Sequence, residues 1–74
     1  MRLNVFPNPV RKTFYLDYAA LNIHSLQLTD VTGKMVKTYP PSKQELEVND
    51  LPRGTYLLHV KADKGNTTVK IILE

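Results

Sequence analysis

The sequence predicts an all-β domain of seven short antiparallel strands, and three observations lead to it. Apolar and polar residues alternate with period two in one segment after another. Breaker clusters separate these segments at intervals of roughly ten residues. Helical periodicity is nearly absent, the weak window from Asp17 to Asn22 excepted.

Leu3 to Phe6 forms a first short strand, stopped by Pro7-Asn8-Pro9. Thr13 to Tyr18 forms a second, with Phe14, Leu16 and Tyr18 on one face and Thr13, Tyr15 and Asp17 on the other. In the third, Ile23 to Thr29, Leu26 and Leu28 face inward while Ser25, Gln27 and Thr29 face out. Asp30-Val31-Thr32-Gly33 reads as a hairpin connection, because Asp suits the first turn position and Gly33 tolerates a left-handed backbone. Lys34 to Tyr39 returns and is halted by Pro40-Pro41, which cannot donate to a ladder and therefore sit at an edge or outside the sheet.

Gln44 to Val48 places Leu46 and Val48 inward, with Glu45 and Glu47 outward. A turn ending at Gly54 feeds Thr55 to Ala62, whose inward face is Tyr56, Leu58, Val60 and Ala62. Asp63-Lys64-Gly65-Asn66 makes the next turn, and Thr67 to Leu73 is the last strand. Seven strands in this rhythm point to an immunoglobulin-like seven-stranded antiparallel β-sandwich. A tyrosine opening the sixth strand fits the corner of such a fold, hydrogen-bonding back to the turn before it, with Leu51 plugging the core beneath. Leu51, Gly54 and Tyr56 therefore read as scaffold.

The chain has 74 residues and forms one domain with a thin core, since a chain this short buries only about 60% of its unfolded surface. It has no cysteine, so no disulfide reinforces it, and His24 and His59 lack partners at metal-ligand spacing. The formal charge of +3 comes from scattered Lys and Arg with a single adjacent pair, Arg11-Lys12, the pattern of a solvated surface with protected edges. No run is long enough to cross a bilayer as a helix. Met1-Arg2 leads straight into a strand with no secretory leader pattern. The expectation is a single domain, residues 1–74, cut from a longer protein; if it crosses a membrane, something upstream must direct it.

Catalytic chemistry is not expected. Ser25, His24 and Asp30 could nominally supply a triad, but neighbours along a strand point to opposite faces, and no nucleophile elbow surrounds them. Glu45 and Glu47 share a solvent face with no cleft signal, and the three glycines form no phosphate-binding loop. Tyr15 near Arg11-Lys12 is a faint trace of a nucleic-acid surface, better read as an amphipathic surface tyrosine. No catalytic, metal or cofactor residue is assigned, and no nucleic-acid or small-molecule partner is expected.

Four stretches carry a family resemblance. Val5-Phe6-Pro7-Asn8-Pro9 resembles an aromatic-Pro-Asn-Pro opening, and Leu28 to Val36 an apolar-x-Asp-x-x-Gly-Lys-x-Val hairpin. Leu51-Pro52-Arg53-Gly54-Thr55-Tyr56 resembles a Leu-x-x-Gly-x-Tyr corner, and Thr68 to Leu73 a lysine-then-aliphatic terminal strand. Together, and in this order, they resemble the C-terminal sorting domain of the type IX secretion system of Bacteroidetes-type bacteria. Pro40-Pro41 and the acidic Glu74 depart from that pattern.

The resemblance implies an address and not a catalyst. Such a domain rides behind a passenger in the periplasm and is read by the outer-membrane translocon. It is then removed by a surface sortase-like peptidase, leaving the passenger at the cell surface or outside the cell. Pro7, Asn8, Pro9, Asp30, Gly33, Leu51, Gly54 and Tyr56 would be its motif residues. Lys70, Ile71, Ile72, Leu73 and Glu74 would be read by the translocon, through an open strand edge that can add to a partner's sheet. Deleting Lys70 to Glu74 is expected to strand a fused reporter in the periplasm while the rest of the domain stays soluble. The same open edge allows weak homodimers. The alternative from another class is a fibronectin-like or carbohydrate-accessory module, or a plain stalk, in a secreted enzyme or adhesin. Only Tyr15 and Tyr39 could furnish its aromatic row.

Overall fold

The computed structural model describes residues 3–7, 9–18 and 22–74, the side chain of Tyr18 apart. Asn8 and half of the weak helical window (residues 19–21) lie outside the described residues. Seven strands form: β1 (Leu3–Phe6), β2 (Thr13–Tyr18), β3 (Ile23–Asp30), β4 (Met35–Tyr39), β5 (Glu45–Glu47), β6 (Gly54–Ala62) and β7 (Gly65–Leu73). They make two antiparallel sheets, of order β1-β2-β5 and β4-β3-β6-β7. Strand bounds move by a residue or two from those the sequence predicts. The β6–β7 turn tightens to Asp63-Lys64, because Ala62 pairs with Gly65.

The two sheets share one core. Phe14, Leu16, Leu46 and Val48 come from the three-stranded side, and Leu26, Leu28, Tyr56, Leu58, Val60, Ile71 and Leu73 from the other. Period two accounts for nearly all of this, since successive side chains on a strand point to opposite faces. Each fully buried aliphatic or aromatic side chain contributes roughly 1.5–3 kcal/mol.

The third strand breaks its own alternation. Its register against β6 steps between Ile23, which pairs with Ala62, and Ser25, which pairs with Lys61. The extra residue, His24, makes a bulge that lets Ile23 and Leu26 both face the core although they are three apart. Thr29 corrects a second expectation: it points outward yet is buried, because it sits in a central strand and its hydroxyl bonds to Nε2 of His59 at 2.9 Å.

Among the described residues, one side chain or backbone bridge can be named on each open side of the sandwich. On one side Tyr39 of β4 donates its hydroxyl to the backbone oxygen of Glu47 on β5 at 2.9 Å, and its ring meets Phe14 edge-on at 6.5 Å. Burial, reinforced by Asp50 and Glu47, pushes the Tyr39 phenol well above its usual range, so it stays a neutral donor. On the other side Val10, which follows β1, bridges to Leu73 at the end of β7.

Candidate functional site

The corner is built from its hydrogen bonds upward. Gly54 opens β6 at φ +150°, a conformation that side-chain-bearing residues rarely adopt. Two residues later Tyr56 turns its ring into the core and donates its hydroxyl back to the Pro52 carbonyl at 2.5 Å. Leu51 packs half-buried against the core, its N–H on the Val48 carbonyl at 3.1 Å. Tyr56→Phe should therefore cost about 1 kcal/mol, the net value of one such bond. In a domain this size that lowers Tm by roughly 4–8 °C. A calorimetric melt unchanged within about 1 °C would remove Tyr56 from this role.

The corner holds the terminal strand, because Gly54 pairs with Leu73, Thr55 with Ile72 and Tyr56 with Ile71. In β7, Ile71 and Leu73 are buried, whereas Lys70 and Ile72, and Glu74 just after the strand, are exposed. Ile72 keeps 38% of its surface exposed despite its size, so the two adjacent isoleucines serve opposite faces. The expectation of an unpaired last edge needs correction at its C-terminal end. There the Val10 N–H donates to the Ile72 carbonyl at 2.7 Å, and the Glu74 N–H donates to the Val10 carbonyl at 2.8 Å. This contact is parallel, isolated and more than sixty residues apart in sequence, so no local pattern announces it.

The remaining motif residues hold loops. Oδ1 of Asp30 accepts from the Thr32 hydroxyl at 2.6 Å, the Thr32 N–H at 2.9 Å and the Lys34 N–H at 3.1 Å. Gly33 takes φ +91° and donates its N–H to the Asp30 carbonyl. Pro7 and Pro9 are exposed on the stretch that carries the chain from β1 to Val10. The Asp30 carboxyl is held below its ordinary range, chiefly by the Thr32 hydroxyl. Asp50 is held down by Lys37, and Asp63 by His24 and then Asn22.

A carboxylate with a depressed folded pKa stabilises above its unfolded pKa, and that contribution is lost as pH falls through the folded value. Tm should accordingly fall as pH drops below about 4. Asp30→Asn should flatten this acid limb, and melts at a series of pH values with identical slopes would contradict it.

The candidate chemical groups do not converge. His24 bonds to Asp63, which also accepts from the Asn22 amide at 2.9 Å, and not to Ser25 or Asp30. His59 is half-buried between the hydroxyls of Thr29 and Thr68. Both clusters follow from the register of β3 against β6, and the second also from that of β6 against β7, which alternation alone does not reveal. Glu45 and Glu47 line a shallow groove with Lys37, Tyr39, Pro40 and Lys43. Phe6 stacks on Tyr15 at 5.8 Å, an outward pair that the sequence reading missed. The cross-strand register Phe6–Tyr15 creates it, while Tyr39 is used between the sheets. Among the described residues no group of three or more His, Cys, Asp or Glu could hold a metal ion, and no helix is long and apolar enough to cross a membrane.

Fold and site thus define a small all-β recognition module, in which motif residues brace loops and a corner brackets the final strand. Residues 4–74 match the family described as the secretion system C-terminal sorting domain. The chain belongs to that family, and is a C-terminal sorting signal of type IX secretion, a class that is not enzymatic. Membership implies export across the outer membrane to the cell surface or the extracellular space. No curated protein matches the chain.

Proposed function

We propose that this domain is the address of an upstream passenger. It adopts the immunoglobulin-like form of the two-sheet sandwich, accompanies the passenger through the periplasm and is read by the outer-membrane translocon. A surface sortase-like peptidase then removes it. The recognised end is Lys70 to Glu74, through the side chains that β7 turns outward. The observation that carries this reading is the family match spanning residues 4–74, and the outward Ile72 beside the buried Ile71 supports its placement at the last strand.

The test appends residues 1–74 to a periplasmic reporter in cells with and without a working type IX translocon. Export that depends on the translocon is expected; retention in both strains, or export in both, would refute the address. Cleavage is read from the size of the exported reporter, which should lack the domain.

One observation favours a second reading. The stacked Phe6–Tyr15 pair stands exposed on the outer face of the three-stranded sheet, as a carbohydrate-accessory module requires. Titration of the domain with cell-surface polysaccharides, lost on Tyr15→Ala, would support it, and absence of binding would dismiss it.

A further inference from the structure

The two sheets carry opposite charge. In β1, β2 and β5 the charged residues are Asp17, Glu45 and Glu47, all exposed carboxylates. In β3, β4, β6 and β7 they are Asp30, Lys37, Lys61 and Lys70. Asp30 is turned onto its own loop by Thr32 and Lys34, and Lys37 reaches Asp50 at 2.7 Å. The outer face of the four-stranded sheet therefore presents Lys61 and Lys70, and no carboxylate from its strands.

Register lays an apolar row across the same face. Met35, Thr29, Leu57 and Lys70 are successive cross-strand partners from β4 to β7. Ile72 stands on this face two residues beyond Lys70, diagonal to Leu57. Met35 keeps 50% of its surface exposed, and Leu57 is only half-buried. The edges suit a partner less well. β5 has three residues, and its Glu47 carbonyl accepts from the Tyr39 hydroxyl. β1 has four residues and runs into Pro7. β4 faces a register shift in β3 and ends at Pro40, and Val10 bridges to the end of β7. Short, irregular, proline-stopped or covered edges resist strand addition, which leaves a face as the contact surface.

We infer that the outer face of the four-stranded sheet, from Met35 through Leu57 to Ile72 with Lys61 and Lys70 beside them, is the surface that docks on a protein of the type IX machinery. This rests on reading Lys70 to Glu74 as the recognised end, and extends that end across the sheet. The partner's surface is apolar opposite Leu57 and Ile72 and carries carboxylates opposite the lysines. Apolar contacts at the centre with charges at the rim are the usual anatomy of a protein interface, and complementary charge sets its orientation. An anionic membrane fits less well, since such surfaces are met by clusters of about four to eight Lys or Arg. A second copy has the right chemistry on its acidic three-stranded face. Joining two unlike faces, however, builds an open chain that does not close.

The test reverses the chemistry of the face at exposed positions away from the chain end. The Met35→Glu, Lys61→Glu double variant, fused to the reporter, should lose translocon-dependent export at least about tenfold. Its Tm should stay within about 4 °C of the unmodified domain. Glu45→Lys, on the other sheet, should be exported normally. Undiminished export of the double variant, or an equal loss with Glu45→Lys, would overturn the face. If the double variant melts much lower, Lys61→Glu alone decides by the same criteria.

Ile72→Asp separates this inference from the reading beneath it. If Ile72→Asp blocks export while the double variant does not, the face fails and the recognised end stands. If Ile72→Asp is exported normally, the recognised end fails and the face with it. Vesicles of phosphatidylglycerol and phosphatidylcholine test the membrane, and size-exclusion chromatography tests the second copy. Vesicle binding or self-association that Lys61→Glu abolishes would reassign the face and overturn the docking partner.

Discussion

Phe14→Ala should remove roughly 3–5 kcal/mol from the stability of the domain. Phe14 is fully buried, comes from the three-stranded sheet, and meets Tyr39 of the other sheet edge-on at 6.5 Å. Its ring thus lies where the two layers join. Truncating a buried phenylalanine costs roughly 3–5 kcal/mol, the lost transfer energy plus the cavity left behind. Domains hold about 0.05–0.15 kcal/mol per residue, so a chain of 74 residues has roughly 4–11 kcal/mol in total. With no disulfide to compensate, the loss takes roughly a quarter to all of that reserve. Urea unfolding followed by tyrosine fluorescence measures it. A midpoint shift worth less than about 1 kcal/mol would show that the sheets close without this ring. Tyr15→Ala, on the outer face of the same strand, should stay within about 1 kcal/mol of wild type and serves as the control.

The second large effect concerns the chain end, and the structure reverses part of what the sequence suggested. Deleting Lys70 to Glu74 removes Ile71 and Leu73 from the core and four pairs from the β6 ladder. It also leaves the Val10 N–H without its Ile72 acceptor. Truncating either buried aliphatic to alanine would cost roughly 2–5 kcal/mol, so removing both approaches the whole stability of the domain. The truncated chain is therefore expected to be unfolded and protease-sensitive, and its failure to export would say nothing about recognition. A folded, soluble truncation would refute this.

The informative variants change outward residues alone. Ile72→Asp places a charge on the exposed face and keeps Ile71 and Leu73, so its melting curve should stay near wild type while translocon-dependent export falls. Thermal melts and export assays on the same fusion separate the two effects. Equal loss of both would make Ile72 a structural residue.

Much of the fold was legible because its logic is local. Alternation put Phe14, Leu16, Leu46, Leu58 and Val60 inside without knowledge of their partners. Asp30 and Gly33 announced their loop because both residues suit backbone conformations that few others tolerate. The corner was legible for a similar reason: a glycine two residues before a strand-opening tyrosine places a hydroxyl within reach of the preceding turn.

Where the reading failed, the missing information was register. One inserted residue at His24 moves Ile23 onto the core face, and nothing local marks it. Registers between distant strands put His24 beside Asp63, Thr29 beside His59 and Phe6 beside Tyr15.

By itself the sequence determined seven strands, their buried faces, the turns between them and kinship with a sorting-signal family. Each of these depends on short-range chemistry: side-chain parity, backbone preference and motif order. Tertiary structure alone decided how the strands divide into sheets of three and four, and what lies along the outer edge of the last one. Val10 reaches Leu73 because two chain-distant segments close the same side of one thin core. The Ile72 carbonyl and Glu74 N–H need partners there, and folding places Val10 where it supplies both.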